Sequence, residues 1–266
     1  MSDTAAAQQS RNSHGSFIWY ELLTPDPDAA AAFYGEVVGW TAAGVGQPGV
    51  DYRLFSANGS PVAGYMKLPN GAEQGGMRPG WFGYIGVDDV DAAVADIETS
   101  GGRVHMPAMD MPGVGRMALV ADPQGVPFYV MRGASDQASG SFDWIKAGHC
   151  SWNELSTPDQ DGALDFYTAQ FGWEAGDVMP MGEMGGYQFI NHNGEMIGAM
   201  MTAPPGQPSG WKFAFGVRDI DEAAAKIAAA GGVVHHGPTE VPNGDRVVMA
   251  TDPQGAAFIV VGPREA

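Results

Sequence analysis

The chain is poor in basic residues, in cysteine and in long apolar runs, and each shortage removes a class of function. Lys and Arg number 13 against 31 Asp and Glu, a formal charge of −18 at pH 7. Gripping phosphates takes Lys and Arg clustered on one face, so no nucleic-acid partner is expected, and no anionic membrane surface either. A single cysteine cannot build an internal disulfide framework. No apolar run reaches the ~20 residues that span a bilayer. Charged residues are only 17%, below the roughly 25% of an average domain, while 44% hydrophobic residues supply core material. The acid excess suits a solubilising or salt-adapted surface. Residues 1–15 are small and polar and lack the apolar stretch of a secretory signal. They read as a disordered tail, and the expected location is the cytoplasm.

What the chain does contain is a duplication. Trp19-Tyr20-Glu21-Leu22 recurs as Trp152-Asn153-Glu154-Leu155, 133 residues later (152 minus 19). Thr24-Pro25-Asp26, Phe33-Tyr34 and Gly39-Trp40 return at the same spacing as Thr157-Pro158-Asp159, Phe166-Tyr167 and Gly172-Trp173. Further on the spacing is 130 (211 minus 81). There Trp81, Gly101-Gly102 and Asp122-Pro123-Gln124-Gly125 return as Trp211, Gly231-Gly232 and Asp252-Pro253-Gln254-Gly255. Internal repetition of this kind defines architecture. The halves are expected at 16–133 and 147–263, joined by a linker over 134–146, whose stretch Ala134 to Ser141 is small and polar.

Each half reads twice as strand, helix, strands. Asp26 is an N-cap with Pro27 at the first helical position, where its missing N–H costs nothing. Ala30, Phe33, Tyr34 and Val37 follow at helical spacing. Asn58-Gly59 marks a hairpin turn. The second helix starts after Asp89, and Asp122-Pro123-Gln124-Gly125 has the residue order of a type I turn. Four βαβββ units result, an α+β chain.

These motifs resemble the vicinal oxygen chelate superfamily of glyoxalase I, bleomycin- and fosfomycin-resistance proteins and extradiol dioxygenases. The resemblance rests on Phe33-Tyr34 with Gly39-Trp40, the helix ending at Gly101-Gly102, and Asp122-Pro123-Gln124-Gly125 before a final strand, each repeated in the second half. More narrowly, the chain resembles tandem-domain actinobacterial proteins labelled glyoxalases or hydroxylases. It implies two tandem glyoxalase-like domains, in each of which paired units enclose a cup. Which units pair, within a half or across halves, is open at this level, as is the choice between monomer and homodimer. In metal-dependent relatives the cup holds one divalent ion on His, Gln or Glu side chains.

Those ligand positions fall here on Trp19, near Gly64, Phe82 and Tyr129 in the first half, and on Trp152, near Gly198, Lys212 and Ile259 in the second. No metal and no cofactor is therefore expected. Trp19, Phe82, Tyr129 and Trp152 would wall the cups with rings or, alternatively, fill them and leave no pocket, and Lys212 would bind an anionic group or pair with Glu154. Strand alternation aims Glu21 and Glu154 into the cups, where desolvation raises a carboxyl's pKa toward the range of a general acid or base. A structural role, holding strand register, is the alternative for both. Cys150 is expected on the cup face with Trp152 and Glu154. The Met-rich segments 106–113 and 179–186 read as loops over the cups.

Three functions follow: a binding protein for a hydrophobic or aromatic small molecule, a metal-independent lyase, isomerase or hydroxylase-like enzyme using Glu21 or Glu154 on a carbonyl or phenolic substrate, or a metal-dependent glyoxalase-type lyase. The first accords best with the missing ligands.

Overall fold

A computed structural model describes residues 12–45, 51–71, 77–204 and 206–264. The first half runs β1 (Phe17–Thr24), α1 (Pro27–Val37), β2 (Thr41–Gly44), β3 (Tyr52–Ala57), β4 (Ser60–Lys67), β5 (Gly80–Gly86), α2 (Val90–Thr99), β6 (Arg103–Met111), β7 (Gly115–Ala121) and β8 (Pro127–Gly133). The second half repeats it as β9 (Cys150–Thr157), α3 (Gln160–Phe171), β10 (Glu174–Pro180), β11 (Gly186–His192), β12 (Glu195–Thr202), β13 (Gly210–Gly216), α4 (Ile220–Ala229), β14 (Val233–Glu240), β15 (Arg246–Thr251) and β16 (Ala257–Gly262).

Local chemistry sets the element ends. Asp26, Asp89, Asp159 and Asp219 each cap a helix, their carboxylates accepting from Ala29, Ala92, Gly162 and Glu222 N–H groups. Asn58 and Gly59 both have positive φ, 51° and 81°, as a two-residue hairpin turn between right-twisted strands requires.

Each half is one eight-stranded mixed sheet, ordered β2-β3-β4-β1-β5-β8-β7-β6 in the first and β10-β11-β12-β9-β13-β16-β15-β14 in the second. The two units of a half meet along their first strands, β1 antiparallel to β5 and β9 antiparallel to β13. The question of pairing is thereby answered: units pair within a half. The four βαβββ modules of an α+β fold are present as the sequence implied.

The helix-bearing faces of both sheets share one core. Tyr20, Phe33, Tyr34, Trp40, Phe55 and Trp81 from the first half pack in it with their counterparts from the second. Helix α1 touches α4, and α2 touches α3. The repeated motifs serve this contact reciprocally. Trp40 Nε1 donates to Gly148 O at 2.7 Å and Trp173 Nε1 to Gly15 O at 2.8 Å. Tyr34 donates to Asp252 and Tyr167 to Asp122, both at 3.1 Å. Tyr20 and Asn153, which occupy the same position of the repeat, bond each other at 2.9 Å. That self-meeting pair marks an internal two-fold axis of the kind a homodimer has. The Asp122 and Asp252 carboxylates are therefore more than turn residues. Each also accepts backbone N–H bonds of its own turn, while burial pushes its pKa up.

Three expectations need correction. Cys150 does not face the cup: a register shift in the β13–β9 pairing, between Ala214 and Phe215, adds a residue between Trp152 and Cys150 and reverses the alternation. Its Sγ lies in the shared core beside Asn153 Oδ1, and burial pushes the thiol up to about 12. The segments 106–113 and 179–186 are not free loops. Met106–Met111 belongs to edge strand β6, Met179–Pro180 to edge strand β10, and Gly182–Met184 forms a 3-10 turn. Of the expected tail, residues 1–11 lie outside the described residues, and His14 and Gly15 pack on the body, His14 Nε2 sitting 2.8 Å from Gln170 O.

Candidate functional site

The opposite face of the first-half sheet carries a second cluster. In the first half it contains Phe82, Tyr84, Met117, Leu119 and Tyr129, each at most 9% exposed, with Trp19, Met66 and Met106 against them. Strand β1 supplies both faces: Tyr20 and Leu22 point into the shared core, Glu21 and Leu23 the other way. Tyr84 and Tyr129 sit opposite each other on β5 and β8 and stack, rings 4.2 Å apart and 9° from parallel. Phe82 meets Tyr129 edge-on at 6.1 Å.

Glu21 is buried at the centre of this face, 5% exposed, with Gly64 on one side and Phe82 on the other in the strand register. The nearby Tyr84 and Tyr52 hydroxyls favour its ionised form. Trp19 Nε1 donates in turn to the Tyr52 oxygen at 2.9 Å. Burial outweighs the two hydroxyls and raises the Glu21 pKa to about 7. The same burial, with the Glu21 charge next, pushes Tyr52 and Tyr129 upward, so both phenols stay protonated donors. A Cβ at Gly64 would lie 1.9 Å from the Tyr52 oxygen, so the ring as placed needs the glycine, although the second half seats Tyr187 beside Ala199.

The second half repeats the triad and changes its surroundings. Trp152 Nε1 donates to Tyr187 at 2.8 Å, and Tyr187 donates to Glu154 Oε2 at 2.9 Å. Opposite Glu154 in the register stands Lys212, whose Nζ is 3.6 Å from Oε1. Ala214 and Ile259 occupy the places of Tyr84 and Tyr129. The residue beside Glu154 on β12 is Ala199, one place beyond Gly198.

Trp19, Glu21, Phe82 and Tyr129 therefore come together on one face, and Trp152, Glu154 and Lys212 on the other. Tyr52, Tyr84 and Tyr187 escaped the sequence reading. Tyr52 and Tyr187 carry a recoverable signal, because they recur 135 residues apart (187 minus 52) beside the repeated Asn-Gly turns. Tyr84 has none, its counterpart being Ala214.

The residues at the family's ligand positions do not fit a divalent cation. Indole, benzyl, alkyl and ammonium groups are not donors to a hard cation, glycine brings no side chain, and burial keeps the Tyr129 phenol protonated. Among the described residues no three His, Cys, Asp or Glu side chains converge as a metal would need. A separate cleft of about 500 Å³ opens between α2 and α3 beside His14, Asp88, Asp89 and Gln170. It shares no residue with either cup, and Asp89 there is engaged in capping α2. Among the described residues no helix is long and apolar enough to cross a membrane.

Comparison with known proteins agrees with this geometry. The family model of the Glyoxalase/Bleomycin resistance protein/Dioxygenase superfamily matches residues 16–130 and again 146–260. "Putative glyoxylase CFP32" of Mycobacterium tuberculosis is 37% identical over 259 residues, covering 96% of this chain and 98% of that one. "Anthracycline biosynthesis protein DnrV" of Streptomyces peucetius is 35% identical over 266 residues, covering 94% of each. Among solved structures, the Mn(II)-bound glyoxalase from Novosphingobium aromaticivorans superposes with a TM-score of 0.62 at 20% identity, covering 96% of this chain and 84% of that one. The 2,2',3-trihydroxybiphenyl 1,2-dioxygenase of Sphingomonas wittichii gives 0.65 at 13% identity, covering 94% and 91%. At those identities the likeness is one of fold. With two family matches spanning most of its length, the chain belongs to the glyoxalase/bleomycin resistance protein/dioxygenase superfamily.

Proposed function

We propose that the first-half cup binds a planar aromatic small molecule bearing a phenol or carbonyl oxygen, without a metal. The observation that carries this reading is Glu21, a buried carboxylate with a pKa of about 7 set among aromatic rings. Rings offer stacking surface, thioethers such as Met66 and Met106 adapt to ligand shape, and one buried polar group fixes orientation. Above pH 7 the carboxylate accepts a hydrogen bond from a phenol; below it, the acid donates to a carbonyl. Anthracyclines, for whose biosynthesis two Streptomyces relatives are named, are planar fused-ring compounds carrying both kinds of oxygen. Calorimetric titration with 2-naphthol tests the reading. Phe82→Lys places a cation opposite Glu21, as the second half has at Lys212, and is expected to weaken binding by at least about tenfold. Unaltered affinity in that variant, or no binding by the natural chain, refutes it.

A second reading has Glu21 act as a base at the same place, favoured by its titration near neutral pH. Its carboxylate would take a proton from the carbon next to an aromatic ketone, and the same acid would return one. In D2O this exchanges C–H for C–D in 2-tetralone, followed by proton NMR. Exchange is expected to fall to the solvent rate in Glu21→Gln. An undiminished enzyme-dependent rate in that variant removes the reading.

A further inference from the structure

The two cups share Trp, Tyr and Glu at equivalent positions and differ in nearly everything around them. Three features set the second cup apart. First, two oxygens there have no hydrogen-bond partner although both are buried: Glu154 Oε1 and Ser156 Oγ. Glu154 and Ser156 are alternate residues of β9 and lie on one face of the sheet. An unmet buried acceptor is costly, and its usual resolution is a donor from a water or a ligand. Second, the cation beside Glu154 is loosely held. Lys212 Nζ stands 3.6 Å from Oε1, within ion-pair range but beyond a hydrogen bond, and its side chain is 30% exposed. Its N–H donors remain available to an incoming acceptor. Third, the lining differs. The stacked phenols of Tyr84 and Tyr129 in the first cup are replaced by Ala214 and Ile259, which removes two aromatic rings from the same stretch of the β5/β8-equivalent pair.

From this arrangement we infer that the second-half cup is a separate site for a small α-hydroxy carboxylic acid. The ligand's carboxylate accepts from the Lys212 ammonium, its hydroxyl donates to Glu154 Oε1, and an apolar substituent lies against Trp152. The ammonium offsets the chain's general negative charge where the ligand enters, and Tyr187 keeps the other carboxylate oxygen of Glu154 occupied. The site is independent of the one assigned to the first cup: it lies in the other half and selects for a group, the carboxylate, that 2-naphthol lacks.

Mandelate is the probe, titrated calorimetrically into the full chain, with phenylacetate as the analogue that keeps ring and carboxylate but lacks the hydroxyl. Mandelate is expected to bind with phenylacetate at least about tenfold weaker, since only the former satisfies Glu154 Oε1. Lys212→Met, checked for native circular dichroism, is expected to lose mandelate affinity by about tenfold or more. The phenylacetate arm needs no variant and stands even if Lys212→Met misfolds. Equal affinity for the two acids overturns the proposal. So does full mandelate affinity in a folded Lys212→Met protein, or no binding of mandelate at about 10 mM, the weak end of small-ligand affinity. Failure of 2-naphthol to bind bears only on the first cup.

Discussion

Trp40→Ala is expected to lower stability by about 3–5 kcal/mol and to weaken both halves in a single unfolding transition. Trp40 is 5% exposed, its ring lies 4.8 Å from Phe55 in its own half and 4.9 Å from Phe215 in the other, and its indole N–H bonds Gly148 O across the boundary. Truncation removes a buried ring and leaves a carbonyl unmet, two costs of the same sign. Urea denaturation followed by fluorescence and by circular dichroism measures the effect. Two separated transitions, with the second half keeping its original midpoint, contradict a common core. Exposed Trp144, 59% accessible, is the control, and its replacement by Ala should change stability by no more than about 0.5 kcal/mol.

Glu21→Gln is expected to stabilise the protein at pH 8 while removing the feature on which the first cup's proposed function rests. The sign follows from linkage. Folding raises the pKa from an ordinary 4.5 to about 7, so the folded state resists ionisation. The favourable contribution is complete below pH 4.5 and is lost as pH rises through about 7. Above that, the natural chain carries a buried charge at a cost of ~3 kcal/mol, taking 1.36 kcal/mol per pH unit of displacement. The amide avoids this cost. Its advantage should be large at pH 8 and small at pH 5, read from denaturation midpoints across that range. An equal effect at both values would mean that Glu21 does not titrate between them. A buried carboxylate that weakens the fold accords with a functional role more than with a structural one.

Much of this architecture is written locally. Asp26 before Pro27, Asn58-Gly59 and the Asp-Pro-Gln-Gly turns act through their own backbone neighbours, and each appears in the structure where its chemistry puts it. Among the cup-facing residues, Trp19, Phe82 and Tyr129 were legible through the family's ligand positions, and Glu21 through strand alternation from Trp19. Cys150 was misread because a bulge is a property of the pairing between β9 and β13, invisible in either strand alone. The second duty of Asp122 and Asp252, accepting from a tyrosine of the opposite half, depends on contacts between residues 45 and 218 positions apart. Tyr52 was hidden for a related reason. It approaches Glu21 across an intervening strand, β4, so no pattern within one strand links the two.

The pH dependence of 2-naphthol binding tests the central claim most directly, because it joins ligand, cup and carboxylate in one curve. Affinity measured from pH 5 to 8.5 should rise through a midpoint near 7 as Glu21 becomes able to accept the naphthol hydroxyl, and the rise should vanish in Glu21→Gln. A flat profile in the natural chain, or an identical rise in the variant, would contradict the assignment of Glu21 as the polar anchor of this cup.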